Sequence, residues 1–411
     1  MGGTVGGAVP SALAHAVENP RLIPHANLAS WRRAGPRGRV VRGVVRSGMP
    51  IRRPATTFVN DRQRSQHWAA ALSFRLMTAL PANQFIVGVD LGGTNIVVCA
   101  MSADGSRQYG LRSEPTAAHE GADGVIARMA RMVNSAVSDT MREAGVSREA
   151  FLGVGVGAPG PLDREKGIVL VAPNLNWHNI PLRDRMAELT GLPAALDNDA
   201  NCATYGEWWM GAAKGARNVI GMTIGTGIGG GIILDGRLYH GSSDVAGEIG
   251  HTTINQTGRR CGCGNYGCLE AYASGTAIAE RAREALSFDQ QSILPELVDG
   301  DVSQITAATV YAAAAQNDAV AIEIVRDTAR FLGTGIANLL NVFNPDCVVI
   351  AGGVTQAGEA LFVPLRQEVR RRAFKPAVDA CRIVPGTLPG TAGVVGAVAT
   401  FIAQHTGRPP A

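Results

Sequence analysis

The sequence predicts an α/β protein built as two domains, and three observations carry that expectation. The chain has 411 residues, enough for two separate cores. Its 51 glycines are scattered through apolar runs, as many tight strand turns require, and 46% of residues are hydrophobic. One strand–turn–strand pattern also occurs twice, beginning at residues 85 and 219.

Residues 1–83 stand apart from that pattern. The first 80 contain twelve Arg, no Lys, and only Glu18 and Asp61 as acids, a formal +10. The whole chain carries +4, so the remainder carries −6. No period of 2 or 3.6 is sustained there, and Pro10, Pro20, Pro24, Pro36, Pro50 and Pro54 interrupt it. The expectation is a basic, disordered extension. It reads as an organellar transit peptide, a basic arm for nucleic acid, or the product of a start placed upstream of Met77. The chain has three Lys against 35 Arg, a bias resembling codon composition, so this Arg richness says little about function. No apolar run approaches the ~18 residues of a membrane span.

Organised sequence begins after Pro81. FIVGVDLGGTNIVVCA (85–100) is an apolar run that stops at Asp90, turns through Gly92-Gly93-Thr94 and resumes. A helix is expected over 124–145 and a strand with a Gly/Pro turn over 152–162. VIGMTIGTGIGGGIIL (219–234) repeats the hairpin grammar. Glycine permits positive φ and close approach of backbone N–H groups to an anion, and a Thr hydroxyl adds a donor. Two such turns facing each other make a phosphate clamp. A dinucleotide fingerprint fits poorly, because a β-branched strand and no helix follows Gly92-Gly93. The Gly-Lys-Ser/Thr of a Walker loop is absent from the sequence.

The stretch GEIGHTTINQTGRRCGCGNYGCLEAY (247–272) contains His251, Cys261, Cys263 and Cys268. Three thiolates and an imidazole are a full tetrahedral set for Zn²⁺, and four protein ligands leave no open position, so the metal is expected to be structural. A disulfide with one spare thiol is the alternative. The scattered cysteines Cys99, Cys202, Cys347 and Cys381 and the lack of a secretion signal point to a reduced, cytoplasmic protein. Glu248 and Glu270 flank the cluster, and a ligating His keeps its second ring nitrogen as a donor. Either these three form a polyol-binding surface, or the carboxylates are surface groups on a zinc knuckle. Asp197-Asn198-Asp199 precedes a helix-like run and exceeds what one N-cap needs. A carboxylate at a helix start is expected to keep a low pKa and to accept the proton of an attacking hydroxyl in phosphoryl transfer. APNLNW (172–177) puts an amide beside an aromatic, a pairing that suits a sugar and equally suits an ordinary turn.

Jointly these residues resemble the ROK family (repressors, open reading frames, kinases), and within it the bacterial glucokinases. The matches run in order: DLGGTN (90–95), GVGAPGPLD, PNLNW, DNDAN (197–201), IGTGIGGGI with Gly241, GEIGH (247–251), CGCGNYGCLE (261–270) and AGGV (351–354). The resemblance covers about 84–405. It implies the actin-like ATPase (ribonuclease H-like) fold, with two lobes and the active site in the cleft between them. The lobes would be 84–200 plus 391–405, whose C-terminal helix returns to the first lobe, and 201–390 with the zinc loop. It implies transfer of a phosphoryl group from ATP, with Mg²⁺, to a hexose hydroxyl. Asp199 would be the general base. Asn198, Glu248, His251 and Glu270 would hold sugar hydroxyls, helped by Asn174, Gly157 and Gly160. Asp90 would support Mg²⁺. Gly92, Gly93, Thr94, Asn95, Thr226 and Gly227 would surround phosphates, and AGGV would lie on the adenosine side.

Glucose is the substrate this resemblance favours; relatives phosphorylate fructose, mannose, N-acetylglucosamine or N-acetylmannosamine. Partners would be sugar and nucleotide, with no membrane, no nucleic acid, and a homo-dimer or tetramer. The competing reading is a sugar-responsive repressor, but residues 1–80 lack the two amphipathic helices around a short turn that its winged helix-turn-helix needs.

Overall fold

The computed structural model describes residues 81–288 and 290–410. The readings made for residues 1–80 lie outside the described residues. The first half runs β1 (Phe85–Leu91), β2 (Asn95–Ser102), β3 (Gln108–Pro115), α1 (Gly121–Ala144), β4 (Phe151–Ala158), β5 (Leu162–Asp163), β6 (Ile168–Ala172), β7 (Trp177–Ile180), α2 (Leu182–Thr190), β8 (Ala194–Asn198) and α3 (Asp199–Trp209). The second runs β9 (Val219–Ile224), β10 (Ile228–Leu234), β11 (Arg237–Leu238), α4 (Glu270–Ala273), α5 (Gly275–Ser287), α6 (Ala307–Ala315), α7 (Ala319–Phe343), β12 (Cys347–Ala351), α8 (Glu359–Arg372), α9 (Lys375–Ala380), β13 (Arg382–Pro385) and α10 (Ala392–Thr406).

Both hairpins form where the sequence places them. β1 pairs antiparallel with β2, from Phe85 opposite Ser102 to Leu91 opposite Ile96. β9 pairs antiparallel with β10, from Val219 opposite Ile233 to Ile224 opposite Ile228. The repeat extends further than the hairpins. One sheet is ordered β3-β2-β1-β4-β8 and the other β11-β10-β9-β12-β13, so each hairpin continues into two parallel strands in the same arrangement. A separate three-stranded meander, β5-β6-β7, completes the first lobe.

Each lobe has its own apolar core. α1 buries Val125, Ile126, Met129, Met132, Val133, Ala136 and Val137 at helical spacing against the first sheet, and ends at Gly145 in the left-handed region. The second core gathers around α7 and the far face of the second sheet. A third cluster joins the two sheets through Ile86, Tyr205, Trp209, Val219, Val349, Val394 and Val398.

The helix that ends each half packs on the opposite sheet. α3 follows the last strand of the first sheet and lies on β9 and β10, while α10 follows the last strand of the second sheet and lies on β1, β4 and β8. The two helices cross at glycine: a Cβ on Gly206 would sit 2.2 Å from the Ala392 carbonyl oxygen, and one on Gly396 only 1.5 Å from that of Cys202. Backbone-to-backbone contact fixes the crossing and, with it, the start of α3.

Candidate active site

The chain turns from strand to helix at Asn198, which is the N-cap of α3. Its Oδ1 accepts from Ala200 N at 2.9 Å and Asn201 N at 3.2 Å, and its Nδ2 donates to Gly160 O at 3.4 Å. Asp199 is the first residue of the helix. Gly157 is buried beneath this turn, where a Cβ would lie 3.2 Å from Cys202 Sγ and 3.5 Å from Asp199 Cα, so its absent side chain lets the turn sit close. Gly160 has φ +88°, and a Cβ there would meet the Val171 carbonyl at 1.9 Å.

The expected low pKa of Asp199 is reversed. Burial, with the Glu248 charge adding to it, raises its carboxyl above the ordinary value despite the helix-start N–H groups. A helix terminus is worth about 0.3–1 kcal/mol, less than one pKa unit, and desolvation, the largest influence on Asp199, outweighs it. Asp90, at the end of β1, is raised to about 7 by burial first and the Asp199 charge second. No donor among the described residues reaches its carboxylate, which lies against the first turn of α10, 2.1 Å from where a Gly393 Cβ would be. A donor-poor carboxylate beside a like charge is a fitting place for a hard cation such as Mg²⁺.

The first Gly-rich turn opens beside Asp90. Thr94 and Asn95 are exposed, and a Cβ on Gly93 would approach Asn174, also exposed, at 3.5 Å. In the second, Thr226 is exposed and its carbonyl accepts from Thr276 Oγ1 at 2.9 Å. The positive φ expected at these glycines is not used: Gly92, Gly93, Gly225 and Gly227 all lie outside the left-handed region. What they supply is room. Nothing lies within 4 Å of a Cβ on Gly225, while one on Gly227 would press on Glu270 Oε2 at 2.5 Å. This second turn borders a cavity of about 530 Å³ lined by Thr226, Gly275, Thr276, Arg283, Thr306 and the 353–356 turn. Of these, the sequence reading had placed only Thr226 and the AGGV turn at the nucleotide. Thr276 and Thr306 carried no signal beyond an ordinary helix start.

The four metal-ligating candidates come together, their ligand atoms all within 4.8 Å of one another. Cys263 and Cys268 Sγ are 3.7 Å apart, as are Cys261 Sγ and His251 Nδ1. A disulfide needs about 2.05 Å, while Zn–S bonds of about 2.3 Å at the tetrahedral angle put the sulfurs about 3.8 Å apart. The donor set therefore fits Zn²⁺ and not a disulfide. Since Nδ1 faces the thiols, Nε2 is the nitrogen left to face outward. Glu270 starts α4 next to the cluster. Its Oε2 accepts from Ile228 N at 2.8 Å, and its Oε1 lies 3.7 Å from Cys261 Sγ and 4.0 Å from His251 Nδ1. Glu248 is exposed immediately before the short helical turn that carries His251.

Two residues of these stretches stand apart from the site. Trp177 is 1% exposed in the first core, so it offers no face to a sugar beside Asn174. Asp197 is fully buried, and its carboxylate meets Arg164 and His240. The remaining named residues are linked in groups: Glu248 acts on Asp199 and Asp199 on Asp90, Asn198 holds Gly160, Gly93 abuts Asn174, and Glu270 joins the second turn to the His251–Cys cluster.

Residues 86–404 match the model of the ROK family. A glucokinase of Halalkalibacterium halodurans is 38% identical over 317 residues, 77% of this chain and 94% of that protein. A xylose repressor of Caldicellulosiruptor bescii is 33% identical over 283 residues, 69% of this chain and 70% of the repressor. The crystal structure of a ROK family glucokinase from Streptomyces griseus, in complex with glucose and AMPPNP, superposes with a TM-score of 0.66 at 35% identity, covering 78% of this chain and 99% of that one. With its paired sheets, crossed helices and two glycine-rich turns in the actin-like ATPase fold, this chain belongs to the ROK family.

Proposed function

We propose that the protein is an ATP-dependent hexose kinase that converts D-glucose to glucose 6-phosphate. The observation that carries the reading is Asp199: a carboxylate at a helix start, near enough to Glu248 and Asp90 to share their electrostatics, with burial and the Glu248 charge raising its proton affinity. Glu248, the outward Nε2 of His251, Glu270 and Asn198 take the sugar hydroxyls, with Asn174 and the Gly160 turn closing one side. The Gly92–Asn95 and Thr226–Gly227 turns take the phosphates, and the cavity beside Thr226 takes the nucleoside. Mg²⁺ held near Asp90 would supply charge neutralisation on the transferring phosphoryl group.

Asp199 accepts the proton as the sugar hydroxyl attacks the γ-phosphorus. Its raised pKa makes it a better acceptor, provided it is ionised when the sugar binds. Zn²⁺ on His251, Cys261, Cys263 and Cys268 is structural in this reading: it pins His251 and the start of α4 so that both carboxylates and the imidazole face one hexose. The lobes are 84–200 with 391–405, and 201–390. The enzyme would feed glycolysis in the cytoplasm as a homo-dimer or tetramer, without nucleic-acid partners; among the described residues no helix is long and apolar enough to cross a membrane.

The test is Asp199→Asn. It removes the proton acceptor and little else, so kcat should fall about 10²–10⁴-fold with glucose affinity by calorimetry preserved. Normal turnover in that variant would refute the assignment.

A further inference from the structure

Asp197 stands two residues before Asp199, yet the site as described does not use it. Its side chain is 1% exposed, and four groups converge on it. Oδ1 accepts from Asn198 N at 2.8 Å and from Asn201 Nδ2 at 3.1 Å. Oδ2 lies 2.9 Å from His240 Nε2 and 3.2 Å from Arg164 Nε, the latter a charge contact off the hydrogen-bond line. These partners come from different parts of the fold. Asn198 and Asn201 belong to the turn that carries Asp199. Arg164 lies between β5 and β6 in the first lobe. His240 follows β11 in the second lobe, on the loop that leads to Glu248.

The same loop is fastened a second time. Arg164 N donates to Asp244 Oδ2 at 3.2 Å, and its Nη1 lies 3.6 Å from Asp244 Oδ1. Burial works to raise the Asp197 carboxyl, but His240, Arg164 and the Asn198 N–H outweigh it and hold it below the ordinary value. A buried ion cluster adds little stability that apolar packing would not add, because desolvation offsets most of its attraction. What it supplies is fixed geometry between the groups it joins.

We propose that Asp197 is a positioning residue: with His240, Arg164 and Asp244 it latches the Glu248 loop of the second lobe to the turn that carries Asn198 and Asp199, and so sets the spacing between sugar and proton acceptor. The proposal rests on the kinase reading above. It assigns His240, Arg164 and Asp244 a part in turnover without contact with the substrate.

The experiment compares His240→Ala with His240→Gln in the full chain, by steady-state kinetics with Mg-ATP and glucose and by amide hydrogen exchange at residues 199–202. Gln keeps an N–H that can reach Asp197; Ala does not. His240→Ala should lower kcat at least about tenfold while glucose KM moves less than about threefold, since misplacement of a reacting group by about 1 Å is enough for such losses. His240→Gln should recover most of kcat. Unchanged kcat in His240→Ala, or equal loss in both variants that follows a drop in Tm, overturns the latch. If the wild-type protein turns over no glucose, the functional reading fails by itself. The latch is then decided by exchange, which must quicken at 199–202 in His240→Ala and not in His240→Gln; equal exchange overturns it.

Discussion

Replacing Asp90 by Asn should stabilise the metal-free protein, and the gain should grow with pH. The wild-type carboxyl rises from 3.8 to about 7 on folding, because burial and the Asp199 charge disfavour its ionised form. The folded state then binds the proton more tightly than the unfolded chain, so the group favours folding at low pH and opposes it as pH rises. Each pKa unit is worth about 1.36 kcal/mol, so the penalty is about 4 kcal/mol at pH 8, about 1.5 at pH 5 and close to zero below pH 4. The adjacent start of α10 favours the charge by about 0.3–1 kcal/mol, which trims the upper figure to about 3. Asn has the same shape and no charge. Urea unfolding at pH 5 and pH 8 in chelator should show the variant about 3 kcal/mol more stable at the higher pH and about 1.5 at the lower, where the folded carboxyl is protonated and the helix start has no charge to act on. Added Mg²⁺ should stabilise the wild type and leave the variant unmoved. A gain that is independent of pH, or a loss at pH 8, would refute the reasoning.

Two further outcomes are expected. Cys263→Ser should bind less than one equivalent of zinc by elemental analysis and raise glucose KM about tenfold or more, because an unpinned loop no longer orients His251 and Glu270; zinc-free protein with wild-type KM would break that coupling. Gly396→Ala drives a Cβ to 1.5 Å from the Cys202 carbonyl, where backbone and not a side-chain tip must move. Denaturant unfolding should show a loss of about 3 kcal/mol or more, and an unchanged midpoint would mean that α3 and α10 can part freely.

Much of this architecture is legible in local pattern. The two hairpins announce themselves because an apolar run, a Gly/Thr turn and a second apolar run are local events, and the metal ligands because four donors within eighteen residues have little other use. The return of the C-terminal helix to the first lobe came from the resemblance and not from periodicity. That α3 does the converse was not readable, since the swap depends on glycine contacts between segments about 190 residues apart, at Gly206 and Gly396. Asp197 and Asp199 looked alike in sequence, but the chain changes from strand to helix at Asn198, and Asp197 ends on the strand against Arg164 and His240 while Asp199 opens the helix near Glu248. The sign of the Asp199 shift and the burial of Trp177 both follow from how much of the fold closes over a residue, which no local window contains.

The central claim is phosphoryl transfer to a hexose, and the most direct test is a turnover assay with Mg-ATP against glucose, fructose, mannose, N-acetylglucosamine and N-acetylmannosamine, each scored by kcat/KM. The account predicts the highest value for glucose, with glucose 6-phosphate as the product. A highest value for an N-acetyl sugar would contradict the substrate while keeping Asp199 as the base, and no turnover of any hexose would contradict the kinase reading itself.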